Sequence, residues 1–276
     1  MGLPFSLRHR NPDRPARRPS AGARVWRLSL LLAIPAFAIG PMQLAAQDGW
    51  ATGDGFFFSR PTISLTIRGG LDRPTASSDI WSFSTSNLTL SKGDFVAGGV
   101  QGELGLRINN RTELVLGAGN SARSANSEFR KFVDNNDKPI EQTTRLRRLP
   151  FTLGVRYALT EPEARLGRLA WVPARFVPWV GAGVGTMGYT FSQIGDFVDF
   201  QTLNVFRQSY EASGWAPMAY ANAGVDVKLS TRLSLNGDLR YSAARGNLSS
   251  PSSKFVGFHH IDLSGTAATM GLTVRM

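Results

Sequence analysis

The sequence predicts an all-β fold: a closed antiparallel transmembrane β-barrel with eight strands, short periplasmic turns and long extracellular loops. Apolar and polar residues alternate with period two in successive stretches, which is typical of strands with two unlike faces. An export leader precedes these stretches, and no later stretch reaches 18 apolar residues, so a closed barrel is the remaining way to cross a membrane. The predicted strands are Thr62–Gly70, Phe95–Ile108, Glu113–Asn120, Arg148–Ala158, Pro178–Thr190, Trp215–Leu229, Leu233–Ser242 and Thr269–Met276.

Residues 1–46 are typical of a cleaved secretory signal peptide of the Sec class. Seven arginines form a basic n-region, Leu28–Ile39 is an apolar h-region, and Leu44-Ala45-Ala46 supplies small residues before the cleavage point. The apolar run is too short to span a bilayer, which needs about 20 residues. An uncleaved membrane anchor is the alternative.

We expect residues 47–60 to form a short periplasmic segment and residues 61–276 to form the barrel domain. The leader holds seven Arg and one Asp, so the mature chain keeps about +5 of the formal net charge of +11. Most of the basic charge therefore belongs to export, and it gives little reason to expect a nucleic-acid partner. The chain has no Cys, which excludes disulfides, thiolate metal sites and a Cys nucleophile.

The alternation divides the side chains of each strand into two sets. In the second strand Leu104 and Leu106 oppose Glu103, and in the fourth Leu153 opposes Arg156. A soluble barrel hides its apolar face inside, whereas a membrane barrel shows it to lipid. We expect the apolar set to face lipid, because the charged set carries both signs and can pair inside a narrow lumen.

The connections alternate between short and long, as in outer-membrane barrels. The short turns 109–111 and 230–232 are predicted on the periplasmic side, and 159–176 is a long exception expected to hold a short element around Trp171. Extracellular loops are predicted at 71–93, 121–143, 191–212 and 246–258, with 80–83 and 88–90 as strand extensions. Interfacial aromatics are predicted at Tyr157, Trp171, Phe176, Trp179, Tyr189, Phe191, Trp215 and Tyr241. A ten-stranded barrel is the alternative count.

Charged residues on the inner face form the candidate site. An eight-stranded barrel is just wide enough for side chains to fill it, and an unpaired buried charge is costly. We expect Arg240 to contact Glu103 or Asp238, in a structural plug or in the gate of a small pore. The predicted lumen charge network is Glu103, Arg107, Arg156, Asp226, Lys228, Asp238, Arg240 and Arg275, with Arg68 on the same face.

The last strand, Thr269–Met276, has the order polar-x-Gly-x-x-apolar-x-apolar, with Val274 and Met276 at the two final apolar positions. It resembles the assembly signal that ends small bacterial outer-membrane β-barrel proteins of the OmpA, OmpW and OmpX type, in which aromatics are usual at these two positions. Leu149–Tyr157 and Ala223–Val227 also look like strands of this group. The resemblance implies insertion by the outer-membrane assembly machinery, in a group whose members are often structural, adhesive or permeable to small molecules.

Motifs for chemistry are weak, and we expect no catalytic, cofactor-binding or metal-ligating residue. Gly183–Gly188 matches a dinucleotide fingerprint as a string, but the sequence continues as a strand and not as a helix. A serine hydrolase acting on lipid A is the serious enzyme hypothesis and would use His260, Ser264 and Asp262. Acidic residues at 134, 137, 196 and 199 lack the calcium-loop spacing.

The sequence thus favours a non-enzymatic integral protein of the outer membrane, in contact with outer-membrane lipid. It would act structurally or through extracellular loops whose ligand is unknown, with a narrow conduit for small molecules left open. The alternatives are a lipid A-modifying enzyme and a soluble periplasmic β-barrel that binds a small ligand.

Overall fold

A computed structural model describes residues 8–9, 60–134, 137–166, 170–199, 201–202, 204–248, 255 and 257–276. The predicted leader and periplasmic segment lie outside the described residues, apart from Arg8, His9 and Arg60.

Eight antiparallel strands form a closed ring. Each pairs with the next along the chain, and the last pairs with the first from Arg275 opposite Ser64 to Gly265 opposite Pro74. The ring has no free edge, and the prediction of a closed eight-stranded antiparallel barrel is confirmed. The strands are β1 (Ile63–Pro74), β2 (Ala97–Arg107), β3 (Thr112–Val133), β4 (Pro139–Ala158), β5 (Phe176–Val198), β6 (Val205–Lys228), β7 (Leu233–Asn247) and β8 (Gly265–Arg275).

Shorter helices and strands lie at the two ends of the ring. In the described part of the chain, no helix is long and apolar enough to cross a membrane. The elements are helix α1 (Asp79–Asn87), a 3-10 helix (Lys92–Phe95), a hairpin of Glu163–Leu166 with Ala170–Pro173, and the short strands His260–Asp262 on β7 and Arg8–His9 on β3. The hairpin contains Trp171, which confirms the extra element predicted in the long connection 159–176.

Two of the predicted long loops are mostly strand. β3 continues to Val133 and β4 begins at Pro139, and β5 continues to Val198 before β6 begins at Val205. These extensions pair with each other, from Gln142 opposite Gly195 onwards. The loop boundaries 121–143 and 191–212 were therefore wrong, because the hairpins keep pairing above the ring, where their inner residues bury an apolar core.

The predicted strand extension at 80–83 is also wrong, since these residues lie in α1. Ile80, Trp81 and Ser84 are its buried residues, a spacing that gives one face of a helix and not one face of a strand. The amide of Leu88 closes the helix on the carbonyl of Ser84. Residues 88–90 follow it, with one bridge from Leu88 to Phe129 of β3.

The faces of the ring are as predicted. Leu104 and Leu153 remain 39% and 45% exposed on the outside, whereas Glu103 and Arg156 are buried in the lumen at 5% and 7%. The exposed apolar belt runs around the whole ring and includes Ile67, Leu71, Val100, Leu116, Phe151, Val184, Leu239, Met270 and Leu272.

Three of the predicted interfacial aromatics point inward. Trp179, Tyr189 and Phe191 are buried at 1%, 5% and 0%. They occupy odd positions of β5, the face shared with Gly181 and Gly183, and small residues there leave room for rings. The outward aromatics are Tyr157, Phe176, Trp215 and Tyr241, each at least 44% exposed.

The upper half of the interior is apolar, which the alternation did not predict. α1 closes this end and places Trp81 against Phe95 and Phe191 at ring-centroid distances of 4.7 and 5.3 Å. The indole nitrogen of Trp81 donates to the carbonyl of Asp262 at 3.1 Å. We call α1 and the upper parts of β3–β6 (residues 122–147 and 189–216) the head.

Candidate functional site: the charged lumen

Glu103 on β2 is the centre of the mid-barrel layer. Arg156 donates to its Oε2 from Nη2 at 2.9 Å, and Arg68 and Arg240 form ion pairs with its Oε1. Three arginines from β1, β4 and β7 thus converge on one buried carboxylate. The contact predicted for Arg240 is present. Asp238 adds a second negative charge, 3.8 Å from both Arg68 Nη2 and Arg240 Nε.

Two asparagines bond to the carboxylates of this layer and of Asp226, which is nearer the short turns. Asn222 donates to Asp238 Oδ1 at 2.8 Å, and Asn236 accepts from Arg68 Nη1 at 2.9 Å while donating to Asp226. Asp226 also receives Arg275 Nη2 at 2.6 Å. The carboxylates of β6 and β7 are therefore tied both to arginines and to amides.

A separate cluster lies at the mouth beside the short turns. Arg107 Nη1 donates to Glu163 Oε2 at 2.6 Å, and Arg60 Nε donates to the same oxygen at 3.0 Å. Glu113 lies 3.9 Å from Arg107 and from Arg156. Burial alone would raise the pKa of Glu163, but the hydrogen bonds and charges of Arg107 and Arg60 outweigh it and hold the pKa below its ordinary value.

Lys228 does not join the network, contrary to the prediction. It is the last residue of β6, half-buried at the short-turn end. Among the described residues its ammonium forms no hydrogen bond or ion pair. The physical reason is its position, since a long side chain at the mouth reaches water.

Aromatic rings support two of the central arginines. The guanidinium of Arg156 lies 4.2 Å from the Trp179 ring centre, and that of Arg240 lies 4.6 Å from the Tyr220 ring centre. Such contacts strengthen when they are desolvated. A Cβ on Gly183 would lie 2.8 Å from the Tyr220 ring, so glycine makes room for the ring on which Arg240 stacks.

The lumen is filled at several levels. At the short-turn mouth, the cavity beside Arg156 has a volume of only about 20 Å³. A second gap, beside Glu103 and Arg240, has no room for a water molecule. The Arg156–Glu103 ion pair lies between them. Above it, Arg148 pairs with Asp72 at 2.6 Å, followed by the apolar interior of Met187, Tyr189, Phe191 and Leu263.

Some members of the site were missed by sequence reasoning. Asn222 and Asn236 are absent from the predicted lumen charge network, and Glu163 lies in the predicted connection 159–176. Trp179 was assigned to the lipid interface. Its place on the same β5 face as Gly181 and Gly183 was the available signal that it points inward.

The residues of the hydrolase hypothesis have other partners. The hydroxyl of Ser264 lies between the amide and the carbonyl of Ala244, at 3.2 and 3.3 Å. Asp262 accepts from Ser77 Oγ at 2.6 Å and from the Ser264 amide at 3.0 Å. His260 forms no side-chain hydrogen bond with either residue in the described part of the chain. The carboxylate joins two loops and does not orient an imidazole.

Two further sequence motifs concern dinucleotide and metal binding. Gly183–Gly188 lies wholly within β5, which continues as strand to Val198. The described residues contain no group of three or more His, Cys, Asp or Glu side chains that could hold a metal ion; Asn135 and Asn136 lie outside them.

No protein-family model and no curated protein matches this sequence. Similar solved structures include the N-terminal β-barrel domain of Pseudomonas aeruginosa OprF, 12% identical over 79% of this chain and 100% of that one, with TM-score 0.35. Neisserial surface protein A is 10% identical over 78% and 96%, with TM-score 0.42. The attachment invasion locus protein Ail of Yersinia pestis is 12% identical over 79% and 100%, with TM-score 0.40. The closed eight-stranded ring, the apolar outer face and the charged interior give this chain the architecture of a small transmembrane β-barrel.

Proposed function

We propose that this chain is an integral outer-membrane protein that holds a folded head outside the cell and does not conduct. The observation that carries the proposal is the apolar belt: Ile67, Leu239 and Met270, from three different strands, are each more than 60% exposed. A continuous apolar surface of this size on a closed barrel fits hydrocarbon and not water. A soluble periplasmic barrel would leave this belt in water, which is unfavourable.

The proposed orientation follows from the two ends of the ring. Residues 108–111 and 229–232 form short turns, and we place them, with the hairpin around Trp171, in the periplasm. The head then lies outside the cell. A cleaved Sec leader and insertion by the barrel assembly machinery complete the proposed route.

Fractionation and gel migration test this location. The mature protein should remain with the outer-membrane fraction after osmotic shock and should migrate faster in SDS gels when unheated than when boiled. Release by osmotic shock without detergent would contradict the proposal.

A sealed lumen supports a role other than a conduit. Three arginines and two carboxylates cross the middle of the barrel, and an apolar interior closed by α1 lies above them. Planar bilayers containing the purified protein should stay electrically silent. Discrete openings whose conductance changes with Arg240→Ala would instead identify a small pore.

The head supports a structural or surface-interaction role. Its core is packed as in a soluble domain, with Tyr210, Phe197 and Phe255 in contact at ring-centroid distances of 4.7 and 5.7 Å. A rigid outer surface can present a constant face to a partner. Binding of such a partner to the head should therefore persist after mild heating that leaves the head folded.

We also propose that the protein is not an enzyme. The supporting observation is that Ser264 bonds to the backbone of Ala244, and Asp262 accepts from the Ser77 hydroxyl and the Ser264 amide, whereas neither bonds to His260 in the described part of the chain. Cells that carry His260→Ala and Ser264→Ala together should contain unchanged lipid A. A change in lipid A acylation that disappears in this variant would establish the hydrolase hypothesis instead.

A further inference from the structure

An open groove crosses the outer wall of the barrel at the upper border of the apolar belt. Its volume is about 390 Å³. Its position coincides with the change from apolar to charged side chains on β4, from Leu149 to Arg147. The outward-facing residues that line it are Arg147, Leu149, Gly188, Thr190, Ser213 and Trp215.

Glycine at position 188 creates the floor of this groove. Gly188 lies directly between Leu149 of β4 and Trp215 of β6 in the strand register. A Cβ on Gly188 would lie 2.9 Å from the Trp215 ring. The ring therefore lies across β5, and its centroid is 5.7 Å from that of Phe151. Trp215 is nevertheless 61% exposed, so one face of the indole remains open.

Arg147 lines the groove on its polar side, and Arg145 is the next exposed residue of β4 beyond it. Arg147 Nε donates to Asn120 Oδ1 at 3.1 Å, and Arg145 Nε donates to Ser124 Oγ at 2.9 Å. Each of these hydrogen bonds uses the Nε atom of the arginine and fixes the position of its exposed guanidinium group. Within the described residues neither forms an ion pair, although the lumen arginines Arg68, Arg156 and Arg240 all do.

The nearest acid in the same outward row is Glu211. Arg145 is opposite Ser192, which is opposite Glu211 on β6. The carboxylate does not pair with either arginine. Among the described residues the two guanidinium groups therefore have no carboxylate partner at the border of an apolar surface, where a charged group benefits from one.

We propose that this groove binds a phosphorylated lipid of the outer leaflet, with the phosphate on Arg145 and Arg147 and acyl chain along Leu149, Phe151 and Trp215. Planar guanidinium groups match phosphate oxygens in bidentate geometry. An indole at the border of hydrocarbon and water is the usual companion of such a contact. The inference rests on the proposed function, which places the head outside and the groove in the outer leaflet.

The test uses purified full-length protein in detergent with lipid A as the probe, followed by native mass spectrometry. Arg145→Gln/Arg147→Gln removes the two groove charges. Arg73→Gln/Arg245→Gln is the matched control, because both residues are exposed, on β1 and β7, and neither lines the groove. Wild type and control should retain lipid A, and the groove variant should bind it about tenfold more weakly.

Three results would overturn the inference. Equal weakening in both double variants would mean that only net charge matters. Equal retention of dephosphorylated lipid A would mean that phosphate is not recognised. Complete displacement of bound lipid A by millimolar inorganic phosphate would assign the groove to free phosphate. Heat-modifiable migration of each variant from the membrane fraction tests the proposed location separately, so that the two failures can be told apart.

Discussion

The guanidinium of Arg240 on β7 pairs with the carboxylate of Glu103 on β2, three strands round the ring and 137 residues away along the chain. The contact crosses the lumen, so it can form only when the ring has closed. It belongs to a layer in which Glu103 is the shared partner of three arginines. The layer therefore ties the closure of the barrel to the pairing of its buried charges.

Glu103→Gln should strongly destabilise the barrel. The change leaves Arg68, Arg156 and Arg240 without their common counter-charge, and removal of one partner from a buried ion pair costs about 3–5 kcal/mol. The measurement is urea unfolding in detergent or lipid, followed by the loss of the fast-migrating folded band in unheated SDS gels.

Glu113→Gln is the control for this prediction. Its side chain is more exposed and lies 3.9 Å from its two arginines, so the same chemical change should cost about 1 kcal/mol or less. Equal effects of the two substitutions would mean that the central layer is not specially organised.

Leu116→Arg should cost roughly 2–4 kcal/mol and should hamper insertion, because Leu116 faces outward in the belt between Leu104 and Leu153. Leu116→Phe, which keeps the position apolar, serves as the control and should insert normally. Folding titrations into lipid vesicles compare the two. If the arginine variant folds as well as the phenylalanine variant, position 116 does not face lipid.

Trp81→Ala should melt the head and leave the ring intact. Trp81 is fully buried, and loss of a buried Trp costs about 3–5 kcal/mol. Limited proteolysis of folded protein should reveal new cleavage within residues 75–96, while heat-modifiable migration persists. Phe83→Ala removes a ring that is 38% exposed and should cost no more than about 1.5 kcal/mol. Loss of the folded band with Trp81→Ala would mean that head and ring unfold as one unit.

Acid should loosen the hairpin of Glu163–Leu166 with Ala170–Pro173 through Glu163. Since its pKa is lowered in the folded state, its stabilising contribution is present above the unfolded-state pKa and is lost as pH falls through the folded-state pKa. Arg60, which lies 4.5 Å from the Trp171 ring centre, then loses its partner. The tryptophan fluorescence of the wild type minus that of Trp171→Phe isolates the signal of Trp171. This signal should change as the pH is lowered.

Glu163→Gln should remove that acid transition. Glu161→Gln provides the comparison, because Glu161 pairs with Arg111 in a half-exposed position at 2.8 Å and should leave the transition in place. An acid transition unaffected by Glu163→Gln would assign it to another group.

The ring and its faces could be predicted from sequence because period two is a local signal. Leu104 and Glu103 are neighbours, and their burial differs as the alternation requires. The alternation of apolar and polar residues is weaker above the belt, because there neither face of a strand contacts lipid and both faces contact protein or water. β3 and β4 therefore continue beyond their predicted ends.

The partners of the lumen charges could be predicted only in part. The alternation places Glu103, Asp238 and Arg240 on one face, but the stagger of the strands decides which of them meet. Gln101 shows the difference: it lies directly opposite Arg68, so Gln101→Arg would face another arginine and would not be the mild change that its inner position suggests. α1 was missed because Ile80-Trp81-Ser82-Phe83 is apolar enough for either a strand or a buried helix.

Lipid exposure along β4 is the most direct test of the central claim that apolar side chains face outward. Because the chain has no Cys, single cysteines at Phe151, Thr152, Leu153 and Val155 can each carry a fluorophore in reconstituted protein. Quenching by lipids with spin-labelled acyl chains should be strong at 151, 153 and 155 and weak at 152. Strong quenching at 152 with weak quenching at its neighbours, or uniform weak quenching at all four positions, would contradict the account.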